Sequence, residues 1–320
     1  MVDNFDKKAY HPRFSWHYLR IKYWGTWLGI LVIMVLSLLP FKARLSLSRW
    51  LAKRLMKFKK GVARKIRINL LLCFPEKSHQ QREEIVFETL VTAGFFLMSF
   101  PLLTVKSKEW LAKNTDIHGI EHVKSLREQN KSVILLVPHT WAIDIPAVLL
   151  ASKGLPVSAM AKKQKNELVD WMMHKQRVQY GGRVYERSGG VKPFIKSIRD
   201  GYLGYYLPDE DLGAEHSVFV DFFATTKATM SGLGRISKVS RAEIVPLFAK
   251  IDPYTGRFAM DFYPALPFPT DSEEQDARMM NETIEKYIGE QPEQYMWILK
   301  FLKTRPNNGK TPYNKKYDQF

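Results

Sequence analysis

Nineteen consecutive uncharged residues, YWGTWLGILVIMVLSLLPF from Tyr23 to Phe41, constrain this chain more than any other feature. At ~1.5 Å of rise per residue, a helix of that length nearly crosses a hydrocarbon core of ~30 Å. The stretch begins too far from Met1, and ends in residues too bulky, for a cleaved signal, while Trp24 and Trp27 suit a membrane interface. A buried core helix is the remaining alternative. The run predicts a membrane-anchor helix at 23–41, with residues 1–22 on the far side of the bilayer from the rest of the chain. Between Lys42 and Arg67 stand eleven Lys and Arg and no acid, whereas the N-terminal flank has five basic residues diluted by Asp3 and Asp6. The positive-inside rule then places the bulk of the protein in the cytoplasm.

The basic segment also carries Leu47, Leu51, Leu55, Phe58 and Val62 at spacings of three to four, so a helix there presents an apolar stripe beside a cationic one. Such a helix either lies on an anionic membrane surface or packs on the core with a solvated charged face. A later apolar run, Leu90 to Leu103, is too short to span and reads as core or as a wall of a lipid-facing groove.

With 320 residues, 45% of them hydrophobic, the chain can bury a sizeable core. Its formal charge of +17 attracts anionic partners without choosing among nucleic acid, acidic protein and anionic lipid. Cys73 is the single cysteine, which excludes an intrachain disulfide and a cysteine-rich metal site and fits a reducing compartment.

Residues 45–128 read mostly as helix, with Ser78 and Gln81 forming a capping box ahead of REEIVFETL. Strand-like runs follow at Val133–Val137, Val157–Ala161, Arg183–Glu186, Tyr205–Leu207, Val218–Phe223, Ile244–Phe248 and Phe258–Tyr263. Helical patterns lie near Ile145–Ala151, Glu167–Val178, Lys192–Arg199, Lys227–Lys238 and Ser272–Tyr287. This alternation predicts a single α/β domain over 42–305, a mixed sheet flanked by helices, followed by a mobile polar tail at 306–320.

The sharpest chemical constellation is VILLVPHTWAIDIPAVLL. A strand ends at Pro138, His139 follows, and Asp144 precedes a helix with Pro146 in its first turn. On one continuous helix the two side chains would stand ~140° apart, so a pairing needs the bend of this strand-to-helix loop. An aspartate that accepts a hydrogen bond from one imidazole nitrogen fixes the tautomer and makes the other a better base. The functional expectation is that Asp144 orients His139. A structural histidine beside an N-cap aspartate is the plainer alternative for the spacing alone. Arg187, between a strand and a glycine turn, could be aimed at a phosphate or at charge developing on an acyl group. Asp209 and Asp211 follow the next strand near Glu210, Glu215 and Asp221, either as a functional cluster or as a solvated turn. No metal motif and no Gly-x-Ser-x-Gly elbow occurs, and Cys73 lies among apolar residues without a histidine nearby in sequence. Direct transfer without a covalent enzyme intermediate is the expectation, with no metal and no cofactor.

Taken in order, YWGTWLG at Tyr23, NLLLCFPE at Asn69, LVPHTWAIDIPA at Leu136, GGRVYERSGGVKPFI at Gly181, GYYLPDEDLGAEHSVFVDFFATTKAT at Gly201 and PEQYMWILKFLKTRP at Pro292 resemble the late acyltransferases of lipid A biosynthesis, most closely those that transfer myristoyl. The resemblance covers nearly the whole chain. It implies an α/β acyltransferase fold related to the glycerolipid acyltransferases, an acyl-carrier-protein thioester as donor, and a lipid A precursor bearing Kdo sugars as acceptor. It implies catalytic roles for His139, Asp144 and Arg187, and substrate-binding roles for Asp209, Asp211 and Lys192. The setting it implies is the cytoplasmic face of a bacterial inner membrane, reached by a single-pass anchor, with no nucleic-acid partner. The rival from another class, a membrane-tethered binding protein, explains the charge and the anchor but not why His139, Asp144 and Arg187 follow strands.

Overall fold

The computed structural model describes residues 6–58 and 60–314. A helical N-terminal half is formed by α1 (Trp24–Ser37), α2 (Phe41–Met56), α3 (Val62–Cys73), α4 (His79–Ser99) and the short α5 (Leu102–Val105) and α6 (Lys108–Lys113). The α/β part then runs β1 (Thr115–His118), α7 (Glu121–Glu128), β2 (Ser132–Leu136), α8 (Asp144–Ser152), β3 (Val157–Ala161), α9 (Glu167–Val178), β4 (Arg183–Glu186), α10 (Lys192–Arg199) and β5 (Leu203–Tyr206). It closes with β6 (Ser217–Phe222), β7 (Thr225–Met230), α11 (Leu233–Ser240), β8 (Ala242–Ile251), β9 (Phe258–Phe262) and α12 (Glu273–Glu290).

Seven strands form one mixed sheet in the order β1-β9-β8-β2-β5-β3-β4, parallel except where β8 and β9 pair as a hairpin. Strand alternation splits the core between the two faces. Val133, Leu135 and Val137 pack with Phe95, Ile145, Val148 and Leu149, whereas Ile134 and Leu136 pack with Phe194, Ile198 and Met280. Gly204 in β5 is required by this layering, since a Cβ there would lie 2.8 Å from Ile198 Cδ1.

Two expectations about elements are corrected. The region Lys227–Lys238, read as helix, is β7 followed by α11; the β-branched residues of TTKAT pair across β6 in an antiparallel hairpin that turns at Phe223, at φ 50°. The tail is docked as far as it is described: Tyr313 Oη donates to Asn69 Oδ1, and Arg64 donates to the carbonyls of Tyr313 and Asn314. Positions 315–320 of the expected mobile tail lie outside the described residues.

The anchor differs more. Its helix stops at Ser37, because the turn that follows leads into Pro40, which starts the next helix, and its 14 residues measure about 21 Å against a core of ~30 Å. Nor does it separate residues 1–22 from the rest. Tyr10 N donates to Val184 O at 2.7 Å, Tyr185 Oη to Asp6 Oδ2 at 2.8 Å, Tyr23 Oη to Glu167 Oε2 at 2.9 Å and Asn166 Nδ2 to Thr26 Oγ1 at 2.8 Å. A bilayer cannot lie between groups that hydrogen-bond directly, so the described part of the N-terminal segment sits on the same side as the α/β domain. The one helical stretch among the described residues long and apolar enough to cross a membrane is His79–Val105, and 56% of its apolar window is buried inside the protein. Leu90, Val91, Phe95, Met98, Leu102 and Leu103 are core.

The apolar stripe on α2 turns outward. Leu51, Leu55 and Phe58 are exposed, while Arg44, Ser48 and Ala52 face inward, where Ser48 allows close approach to Gly94 of α4. On α1, Trp24, Leu28, Leu31 and Val35 are likewise exposed.

Candidate active site

The loop between β2 and α8 carries His139, and the chain secures it from two directions. Beyond β2, Val137 N still donates to Tyr206 O of β5. The segment after α12 then pairs with the loop by backbone alone: Trp141 N donates to Gln294 O at 3.0 Å, Met296 N to His139 O at 2.8 Å, and Thr140 bridges Tyr295. Tyr295 and Trp297 are fully buried behind it. Tyr205 Oη donates to Ile143 O at 2.6 Å and fixes the far end of the loop.

Three consecutive acids after β5 each hold a different element. Asp209 accepts from His139 N at 2.7 Å and lies 2.5 Å from His139 Nδ1. Glu210 pairs with Arg187 at 2.5 Å. Asp211 accepts from Thr304 N and Oγ1 at 2.6 and 2.7 Å. The acidic turn is therefore a clasp between the histidine loop, the turn after β4 and the C-terminal segment.

The partner of His139 thus differs from the one expected. Asp144, the first residue of α8, takes the guanidinium of Arg177 from the last turn of α9, at 2.7 Å from Nε and 3.3 Å from Nη2. The loop that could have bent Asp144 back to His139 instead delivers it to a half-buried cation that lines the same cleft. Asp209, 70 residues further on, reaches the ring from a neighbouring parallel strand.

His139, Asp144, Arg177, Arg187, Tyr205, Leu207, Glu210 and Lys162 line one open cleft of about 290 Å³ at the C-terminal edges of β2, β3, β4 and β5. Sites in parallel α/β sheets form at such edges. Among the expected site residues, Asp211 is tied to Thr304 away from this lining and Lys192 stands exposed at the start of α10, so neither faces the cleft. Among the described residues, no group of three or more His, Cys, Asp or Glu is placed to hold a metal ion.

Burial pulls the His139 imidazole toward lower pKa, but the Asp209 carboxylate beside it raises it more, and the ring ends above its ordinary value of 6.5. Burial works in the opposite sense on Asp209, and contact with His139 overcomes it, leaving the carboxyl below the usual carboxylate range. With Nδ1–H given to Asp209, Nε2 is the nitrogen left for the cleft, the arrangement a general base requires. Arg187 stands on the same wall, able to donate to a phosphate or to an oxyanion. Two participants escaped sequence reading: Arg177, 33 residues from Asp144, and the Tyr295 segment, whose part is played by backbone groups that carry no side-chain signature.

A family model described as bacterial lipid A biosynthesis acyltransferase matches residues 11–304. A lipid A biosynthesis myristoyltransferase of Escherichia coli (strain K12) is 42% identical over 316 residues, covering 98% of this chain and 95% of that protein. A lipid A biosynthesis acyltransferase of Haemophilus influenzae is 40% identical over 297 residues, 93% of each chain, and a lipid A biosynthesis lauroyltransferase of Escherichia coli (strain K12) is 31% identical over 304 residues, 94% of this chain and 99% of that one. A match across this length, on a fold with a histidine–aspartate pair at the carboxyl edge of its sheet, gives the assignment: the chain is an acyltransferase belonging to the bacterial lipid A biosynthesis acyltransferases.

Proposed function

We propose that this enzyme transfers a fatty acyl chain, myristoyl by preference, from an acyl-carrier-protein thioester to the 3-hydroxyl of an acyl chain on a Kdo-bearing, already lauroylated lipid A precursor. The observation that carries this reading is the hydrogen bond between His139 Nδ1 and the buried Asp209, which leaves Nε2 facing a cleft lined by Arg187. His139 removes the hydroxyl proton as the oxygen attacks the thioester carbonyl, Asp209 balances the imidazolium, and the tetrahedral intermediate collapses with cleavage of the C–S bond as the imidazolium returns its proton to the departing carrier thiolate. Arg187 and backbone amides of the loop donate to the oxyanion. The Asp144–Arg177 pair keeps the opposite wall of the cleft in place. The preference for myristoyl rests on the similarity to the myristoyltransferase alone.

Work takes place at the cytoplasmic face of the bacterial inner membrane, with α1 and the outward stripe of α2 sunk into the adjoining leaflet. Exposed Trp24, Leu28, Leu31, Leu51 and Phe58 beside Arg49, Lys53 and Lys57 support that placement. The remaining positive charge suits an acidic carrier protein and the phosphates and carboxylates of the acceptor.

The test is mass spectrometry of detergent-purified protein incubated with that precursor and myristoyl-carrier protein. A gain of one myristoyl group is expected, falling by ~10²–10⁴-fold in His139→Ala. Near-wild-type turnover in that variant would overturn the assignment of the base, and no product from any of several donors and acceptors would overturn the substrate.

A further inference from the structure

Lys227, in the middle of β7, is fully buried, and its Nζ has no hydrogen-bond partner among the described residues. An ammonium is among the costliest groups to withhold from water without a partner. Its surroundings hold two carboxylates and a thiol that burial keeps neutral. Asp209 and Asp211 face it from the clasp after β5, and the Cys73 thiol from the end of α3. The Phe222 ring of β6 lies 5.6 Å from Nζ. Around these stand Tyr295 and Tyr313, and Arg305, whose Nη1 donates to Thr226 O beside Lys227. The cation thus neighbours the carboxylate that holds His139, and both are buried and absent from the lining of the cleft.

This arrangement answers a difficulty in the proposed chemistry, on which the inference rests. A general base must be neutral before it acts, and at that moment Asp209 is a buried carboxylate facing an uncharged ring. Burial then favours leaving a proton on the pair, which would keep His139 charged and idle. A fixed positive charge near Asp209 removes that penalty. We propose that Lys227 is the positioning residue of the His139–Asp209 pair, its buried ammonium keeping Asp209 ionised while His139 is neutral.

Burial lowers the Lys227 ammonium more than Asp209 and Asp211 raise it, to about 8, so the side chain is charged through the acid limb of the pH profile. In Lys227→Met, the acid limb of kcat/KM moves upward by about one unit, so that activity at pH 7 falls by up to about tenfold and is regained as pH rises. In Lys227→Arg, which keeps the positive charge, the acid limb stays where it is in wild type.

The experiment is the profile from pH 5 to 10 for full-length wild type, Lys227→Met, Lys227→Arg and His139→Ala in the same detergent. An acid limb in Lys227→Met at the wild-type position with only a lower plateau would overturn the proposal, as would an acid limb in Lys227→Arg displaced as far as that of Lys227→Met. Should Lys227→Met fail to fold, Lys227→Gln takes its place, with the same upward displacement of the acid limb expected and an unmoved limb overturning the proposal. Wild-type turnover in His139→Ala would instead overturn the underlying function.

Discussion

At the carboxyl edge of the sheet, Asp209 and Lys227 are wholly withdrawn from water, whereas in the N-terminal helices Leu28 is 62% and Trp16 80% exposed. Each region inverts the usual distribution of polarity, and the cost is met differently. Charges lining the edge are tied by direct pairing, His139 to Asp209, Arg187 to Glu210 and Arg177 to Asp144, while Lys227 has only the nearby carboxylates of Asp209 and Asp211 and no hydrogen-bond partner among the described residues. The outward apolar groups of α1 and α2, such as Leu28, Leu31 and Leu51, are exposed among the described residues. Such a surface is stabilised when an apolar medium covers it. The edge is thus stable only if its geometry is kept, and the helical layer only if its environment is supplied.

Substitutions should separate these two dependencies. The largest effect on stability is expected in Arg177→Ala, which strands Asp144 with little access to water; thermal or denaturant unfolding in detergent should show a loss of about 3 kcal/mol, the lower end for a broken buried pair that solvent still touches. Turnover should fall as well, because α8 and α9 form the wall opposite His139. A loss within 0.5 kcal/mol would mean that the pair is effectively solvated and that the comparison fails on the edge side.

Next in size is Leu28→Asp on the outer face of α1. Partition into anionic vesicles should weaken by about 1.5–3 kcal/mol, the value of one fully buried aliphatic side chain, measured by co-sedimentation. Unfolding in detergent should change little, since Leu28 is exposed and is not part of the core. Unaltered vesicle binding would place the membrane contact elsewhere.

The smallest effect is a displacement along the pH axis. Because Asp209 raises the His139 pKa above 6.5, activity should climb through a value above 6.5 as the base loses its proton. Stability runs the other way: the contribution of this pair is fully present below the unfolded value of about 6.5 and is lost as pH rises through the folded one. Wild type should therefore gain activity and lose a little stability across the same interval, and Asp209→Asn should abolish both trends. If Asp144→Asn abolished them instead, the histidine would answer to the partner first expected from the loop.

That last contrast shows how far the primary structure is legible. Strand alternation, the Ser78 capping box, and the run from Pro138 through His139 to the helix at Asp144 all depend on neighbours a few residues apart, and the local chain realises them. The spacing of His139 and Asp144 suggested a pair for the same reason, but loop proximity cannot compete with a carboxylate brought in by an adjacent parallel strand.

By itself, the sequence determined the α/β alternation, the apolar N-terminal run, the excess of positive charge, and the reactive groups placed after strands, since each follows from composition or from periods of two to four residues. The tertiary structure alone decided that Asp209 rather than Asp144 holds His139, that Asp144 answers to Arg177, that Lys227 lies buried near Asp209, and that residues 6–23 pack on the domain they precede. Those outcomes depend on strand order and on which helix crosses which edge, and contacts of that kind join residues 33 to 179 positions apart.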